Sequence, residues 1–380
     1  MTHAYRFAAL ALTLCLLCPG AWTQEETASD NALEFILSPV HEGFSVYTGW
    51  HEAEVAYRKE PAYAGTAVRR GAIRFGVDRS DFIGLAYDVT ANRLYIDRNR
   101  NLDLTDDGPP VPGDEDSGPG RQAFSNVTIE LTHGAIPVQY TLDIIFTRYS
   151  MYFMVRSGWK GEIEIRGKSR VMGIADDLDG LFDASDSFRF HHERHDEARL
   201  PYGGMNEMQL PKWLHFEGQS YFIEPAFHVQ DNATALAVTL TPVTDDVMDI
   251  AYKGQFVSRV QLLEHKEDRF ALGLLDWPTG AMRIPRGVYS PYRVDLLDSF
   301  YGYPQGVARL DPDGITTLQT GGPIRQEISV RRTGARLNLG YALRGVDKTA
   351  YRPVQAHQNP PRFAVYRGNR RVGAGQFEYG

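Results

Sequence analysis

Cysteine is almost absent from this chain. Cys15 and Cys18 are the only two, and both sit close to the N-terminus. If they leave with an export signal, disulfides, thiolate zinc sites and thiol nucleophiles are excluded together. A chain of this length must then hold itself by core packing, with metal staples as the available reinforcement. Basic character is lacking as well: the formal net charge is −8 and the pI lies near 5.8. That balance argues against a nucleic-acid partner. After the N-terminus no stretch approaches the roughly 20 apolar residues of a transmembrane helix, so no stable membrane span is expected. Long helical periodicities are scarce. Motifs for nucleophilic catalysis are missing too, with no G-x-S-x-G and no S-x-x-K with its partners. There is no phosphate loop or dinucleotide fingerprint.

What is present begins with an export signal. Arg6 supplies a positive n-region, Phe7 to Leu17 form an apolar h-region, and Gly20, Ala21 and Thr23 are the small residues of a cleavage site. Residues 1–23 are therefore expected to be removed, and the mature protein to be secreted or periplasmic. Residues 24–43 read as a leader, polar from Gln24 to Leu33.

From Phe44 onward short apolar–polar alternations are separated by turn residues, which is the pattern of an all-β protein. Val127-Thr128-Ile129-Glu130-Leu131 alternates cleanly, as a sheet with one wet face requires. The spacing predicts a larger N-terminal β unit over 44–240, then one or two β-sandwich (Ig-like) modules over 241–313 and 314–380. Phe377 and Tyr379 alternate with Gln376 and Glu378, which predicts a last strand with one buried face. A weak internal repeat relates Gly71-Ala72-Ile73-Arg74-Phe75 and Gly84 to Asp88 with Gly161-Glu162-Ile163-Glu164-Ile165 and Gly173 to Asp177. Each copy reads as two strands leading to an acidic loop.

Two acidic loops carry the chemistry. In the first, Asp97, Asn99, Asn101, Asp103 and Thr105 occupy relative positions 1, 3, 5, 7 and 9. Oxygen donors at every second residue let a turning backbone wrap a hard cation such as Ca²⁺. The stretch resembles EF-hand and dockerin-like calcium loops. The resemblance implies ligands at Asp97, Asn99 and Asn101, a backbone carbonyl at Asp103, and Thr105 or its water. It departs from the pattern at position 6, where Leu102 replaces glycine, and at position 12, where Gly108 replaces glutamate; Asp106 or Asp107 would supply the missing carboxylate. The second loop places Asp177, Asp179, Gly180, Asp183 and Asp186 at positions 3, 5, 6, 9 and 12, with Ala175 at position 1 and Asp176 one residue late. Hydrogen bonds of the Asx-turn kind, with no metal, are the competing explanation of both loops.

Other clusters compete less well. His191 and His195 are four apart, a zinc spacing on a helix, but His191-His192-Glu193-Arg194-His195 is not H-E-x-x-H and reads as a solvated charged loop. Trp159, Trp213, Trp277, Tyr289, Tyr292, Phe300, Tyr301 and Tyr303 are candidate glycan-stacking residues, most of them expected in the core. The export signal, the D-x-N-x-N-x-D loop after a strand and the ending Gly375 to Gly380 together resemble exported bacterial β-sandwich proteins with calcium-loop insertions. That resemblance implies no activity. The expected protein is a non-catalytic binding or structural protein stabilised by Ca²⁺, acting on an extracellular or periplasmic ligand. A polysaccharide or peptide hydrolase using the Asp176 to Asp186 region or the His191 to His195 cluster, and a glycan-binding or adhesion protein, are the alternatives.

Overall fold

The computed structural model describes residues 31–50, 55–115, 117–118, 120–191, 208–230, 233–265, 270–297, 300–305, 309–334, 336–353 and 361–377. The expected export signal, His192 to Glu197 and Tyr379 lie outside them. Among the described residues the fold is all-β, with 28 strands and no helix.

Two four-stranded sheets are built by the N-terminal half. One contains Val68–Phe75, Asp81–Asp88, Arg93–Ile96 and Val111–Pro112. The other contains Val46–Trp50, Met151–Val155, Ile136–Thr147 and Arg121–His133. In the last of these strands Val127, Ile129 and Leu131 are buried while Glu130 is exposed, as the alternation predicts. Where Asn126 takes a φ of 57°, a bulge shifts the register between Phe124 and Val127. Tyr87, Phe124 and Phe146 join the two sheets through tilted and edge-on ring contacts at 4.9–5.9 Å.

A fifteen-stranded ladder runs behind them. From its edge it passes through Met208–Gln209, Ser187–His191, Lys168–Ala175, Gly158–Ile165, Leu33–Val40, Ala233–Pro242 and Gln219–Gln230 to Trp213–Phe216. Parallel pairing of Trp213 to His215 with Gly273 to Leu275 carries it into Phe270–Asp276, Val257–His265 and Tyr289–Leu296. Phe300–Gly302, Ala350–Pro353, Arg336–Arg344 and Arg325–Thr333 complete it. Open twisted sheets rarely extend past about ten strands without serving more than one packing layer, and this ladder serves two cores. Leu214, Phe216 and Leu274 point into the first, which holds the N-terminal sheets. Trp213 and Leu275 point into the second, with Ile250, Val260, Ile284, Tyr289 and Leu318. The period of two along a strand sends neighbours to opposite faces, so Trp213-Leu214-His215-Phe216 is buried on both sides. Gly273 makes room for this: a Cβ there would lie 2.1 Å from the Trp213 ring.

Three expectations change. Leu33–Val40, read as the end of a leader, is an interior strand paired with both Gly158–Ile165 and Ala233–Pro242. The alternate apolar residues Leu33, Phe35 and Leu37 pack on the first core, a short pattern hidden behind a polar flank. Second, the strand Arg370–Gln376 is exposed along its whole length and, among the described residues, pairs only in the hairpin with Arg362–Arg367. Phe377 follows it and packs on Phe363 and Tyr341. Third, the first repeat copy does not lead directly into its loop. Asp88 instead caps the turn at Thr90 and Ala91 and accepts from Ala64 N. Arg93–Ile96 intervenes before Asp97, whereas Lys168–Ala175 runs straight into the second loop.

Candidate metal centre

Loop one leaves the strand Arg93–Ile96 at Asp97, which is 1% exposed. Its Oδ1 accepts from Asn101 N and its Oδ2 from Leu102 N, both at 3.1 Å. Asn99 Oδ1, Asn101 Oδ1 and Asp103 Oδ1 then accept from the backbone N–H two residues onward, at Asn101, Asp103 and Thr105. Asp107 Oδ1 closes the loop by accepting from Asn99 N at 3.1 Å. Its Oδ2 is buried with no hydrogen bond among the described residues. Burial raises the Asp107 carboxyl, and the nearby Asp97 charge adds to the shift. Leu104 is buried beneath the loop, and Arg58 N and Lys59 N donate to Leu102 O from outside it.

Loop two repeats this scaffold. Arg100 and Leu102 have φ of 61° and 66°, and Leu178 and Gly180, at the same relative positions 4 and 6, have φ of 78° and 76°. The left-handed turn that an EF-hand gives to glycine is thus made by Leu102 in one loop and Gly180 in the other. Asp176 Oδ1 accepts from Gly180 N at 3.0 Å, doing for position 6 what Asp97 does in loop one. Asp186 Oδ1 accepts from Asp177 N at 2.9 Å, capping position 3 as Asp107 does. Asp179 Oδ1 accepts from Leu181 N at 2.8 Å, matching Asn101 and Asp103. The first carboxylate of loop two is therefore Asp176, displaced one residue from the place that spacing alone gives to Ala175.

The loops differ in how their acids are gathered. Asp176, Asp177 and Asp179 each offer an oxygen, and the three oxygens lie within 4.8 Å of one another. Among the described residues no other group of three His, Cys, Asp or Glu side chains meets that distance. Asp97, Asp103 and Asp107 of loop one do not form such a trio, and Asn99, Asn101 and Thr105 are exposed around it. In loop two Asp183 is exposed and accepts from Ser185 N and Oγ, while Asp186 Oδ2 accepts from Asp183 N at 2.8 Å.

Charge is concentrated at the trio. Asp176 is fully buried, Asp186 is 1% exposed and Asp177 is 8% exposed. Burial drives the Asp176 and Asp186 carboxyls strongly upward, Asp186 further by its proximity to Asp176. Asp179 is raised by burial as well. Arg79 Nη2 meets Asp177 Oδ2 at 2.6 Å and Nη1 donates to the Asp177 carbonyl at 2.9 Å. Asp177 Oδ1 is buried with no hydrogen bond among the described residues. Behind the trio Tyr140 Oη donates to Asp176 Oδ2 and contacts His133 Nε2 at 2.9 Å. His133 stacks on Phe227 at 5.2 Å, and its burial lowers its pKa, which favours the neutral ring. One guanidinium beside several crowded carboxyls leaves anionic capacity that a hard divalent cation with oxygen preference fits.

The remaining candidates separate by burial. His191 ends the strand Ser187–His191, so it belongs to a sheet and not to a helix. Trp159, Trp213 and Tyr289 are core residues, whereas Trp277 and Tyr303 are 44% and 49% exposed. No protein-family model, curated protein or solved structure matches this chain.

Proposed function

We propose that this is an exported, non-catalytic binding or structural protein whose second acidic loop holds Ca²⁺ and so braces the junction of its sheets. The observation that carries the reading is the trio Asp176, Asp177 and Asp179, with oxygens within 4.8 Å and Asp177 Oδ1 buried and unpaired among the described residues. Burying an acceptor without a partner is costly, and a cation bound there would satisfy it while neutralising its neighbours. Loop one, with the same backbone turns but no carboxylate trio, is the weaker second site. Export and the secreted or periplasmic location rest on the N-terminal signal pattern; the cation reading does not depend on them.

Calcium at this place is structural. Asp176 anchors on Tyr140 from the sheet Arg121–His133 and Ile136–Thr147, and Arg79 ties Asp177 to the hairpin of Val68–Phe75 and Asp81–Asp88. A hydrolase in the same region draws less support, because a general acid must reach its substrate and Asp176 and Asp186 are buried.

Thermal melts in calcium and in chelator test the reading. A site occupied at about ten times its dissociation constant stabilises by roughly 1.4 kcal/mol. For a cooperative unit of this size that raises the Tm by about 2–4 °C. The same comparison on Asp177→Asn should show little or no calcium shift. An unchanged wild-type midpoint at millimolar calcium would overturn the proposal.

A further inference from the structure

A cavity of about 230 Å³ opens where the end of loop two meets the strands Val257–His265 and Tyr289–Leu296. Ser187 and Gln209 form part of its wall and are direct partners in the ladder between Ser187–His191 and Met208–Gln209. Phe188 and Phe190 point into the first core. By alternation Ser187 faces the other way, into the cavity. Ser187 is 7% exposed, and its Oγ has no hydrogen bond among the described residues. Gln209 Oε1 is likewise buried and unpaired. Two neighbouring polar atoms thus face one cavity without partners, in a protein where such atoms are normally satisfied.

The wall also carries aromatic rings. Tyr292 and Tyr303 pack edge to face at 5.8 Å, and Tyr303 and Tyr47 are each about half exposed. Arg293 also lines the cavity, but its Nε donates to Asp295 Oδ1 at 2.8 Å and its guanidinium covers the Tyr301 ring. Asp186 turns both carboxyl oxygens to backbone N–H groups of its own loop. Among the described residues the charged groups of the wall, Arg293 and Asp186, are engaged with the protein itself. What remains for a ligand is amide, hydroxyl and ring face.

We infer that this cavity binds a neutral saccharide, with one sugar ring stacked at Tyr303 and its hydroxyls bonded to Ser187 Oγ and Gln209 Oε1. A sugar presents an apolar C–H face and a rim of hydroxyls that donate and accept, which is the complement of this wall. An anion would need a cation that is not already paired. The volume, smaller than the 300–1,000 Å³ common for drug-sized ligands, suits one ring at the end or in the middle of a chain. Among the described residues an extended peptide finds only the two-residue edge strand Met208–Gln209 to pair with. The inference goes beyond the cation reading and uses none of the acidic trio.

The test is a saturation-transfer NMR and calorimetric titration of the full mature chain with cello-, chito- and malto-tetraoses, inorganic phosphate serving as the anionic control. All arms contain calcium, so that the state of loop two is the same throughout and failure here leaves the melting experiment to judge the cation. At least one tetraose should bind. Tyr303→Ala, at an exposed position, should weaken it about tenfold, and Ser187→Ala and Gln209→Ala severalfold each, with circular dichroism unchanged. No binding by any tetraose at 10 mM, binding that all three variants leave intact, or phosphate binding in preference to sugar would overturn the inference.

Discussion

Asp177 divides its carboxylate between two fates. One oxygen is fixed by Arg79 at 2.6 Å, while the other is buried and unpaired among the described residues. Replacing Asp177 by Asn keeps the size of the side chain but removes the negative charge that a cation would need. Asp177→Asn is therefore expected to lose calcium binding while keeping its fold, a difference read by calorimetry beside circular dichroism. Gly180 makes a sharper demand on the backbone. Its φ is 76°, and a Cβ there would stand 2.0 Å from His133 Nδ1. Left-handed strain and the displaced imidazole add in Gly180→Ala, which should cost about 2–3 kcal/mol of stability by denaturant titration. A loss below about 0.5 kcal/mol would show that His133 moves aside freely.

At the scale of the element, the two loops show what a sequence can and cannot say. The D-x-N-x-N-x-D alternation of loop one is plain to read, yet its oxygens hydrogen-bond to the loop's own backbone. Loop two reads as the poorer match because its first acid comes one residue late, yet it gathers the trio. Ligand spacing constrains a site only through backbone turns; Gly180 at position 6 announces one of them, but the positive φ of Leu178 is invisible in the residue pattern. Strands show the same division. Val127 to Leu131 alternates because one face is wet, whereas Trp213-Leu214-His215-Phe216 carries no such pattern because both faces are buried in different cores.

Loop two also sets a pH dependence. Asp176, Asp179 and Asp186 are all raised above the ordinary carboxyl range by burial. The folded protein then holds protons that the unfolded chain has released, so these groups lower stability as pH rises from about 4 through their folded values. In chelator the Tm is expected to fall between pH 5 and pH 8, and calcium should reduce that fall by taking the place of the protons. Melts over a pH series in both buffers measure it. A chelated protein whose calcium response is as large at pH 5 as at pH 8 would contradict this account of the loop.

For the whole molecule the decisive element is the wall between the two cores. Trp213 packs edge-on against Tyr289 at 5.5 Å on one side, and its neighbours Leu214 and Phe216 fill the other core. Neither core is complete without these strands, so the two should melt together. Tryptophan fluorescence and far-UV circular dichroism are expected to report one coincident transition. Trp213→Ala should lower its midpoint as a loss of about 3–5 kcal/mol would; two separated transitions in the wild type would show that the cores are independent. The acidic trio belongs to the same picture, since it ties a strand of the long ladder to both N-terminal sheets through Tyr140 and Arg79. A crystal structure grown in calcium chloride tests that claim most directly. The account predicts an anomalous peak about 2.3–2.6 Å from oxygens of Asp176, Asp177 and Asp179, and an ordered loop two with no peak among those oxygens would contradict it.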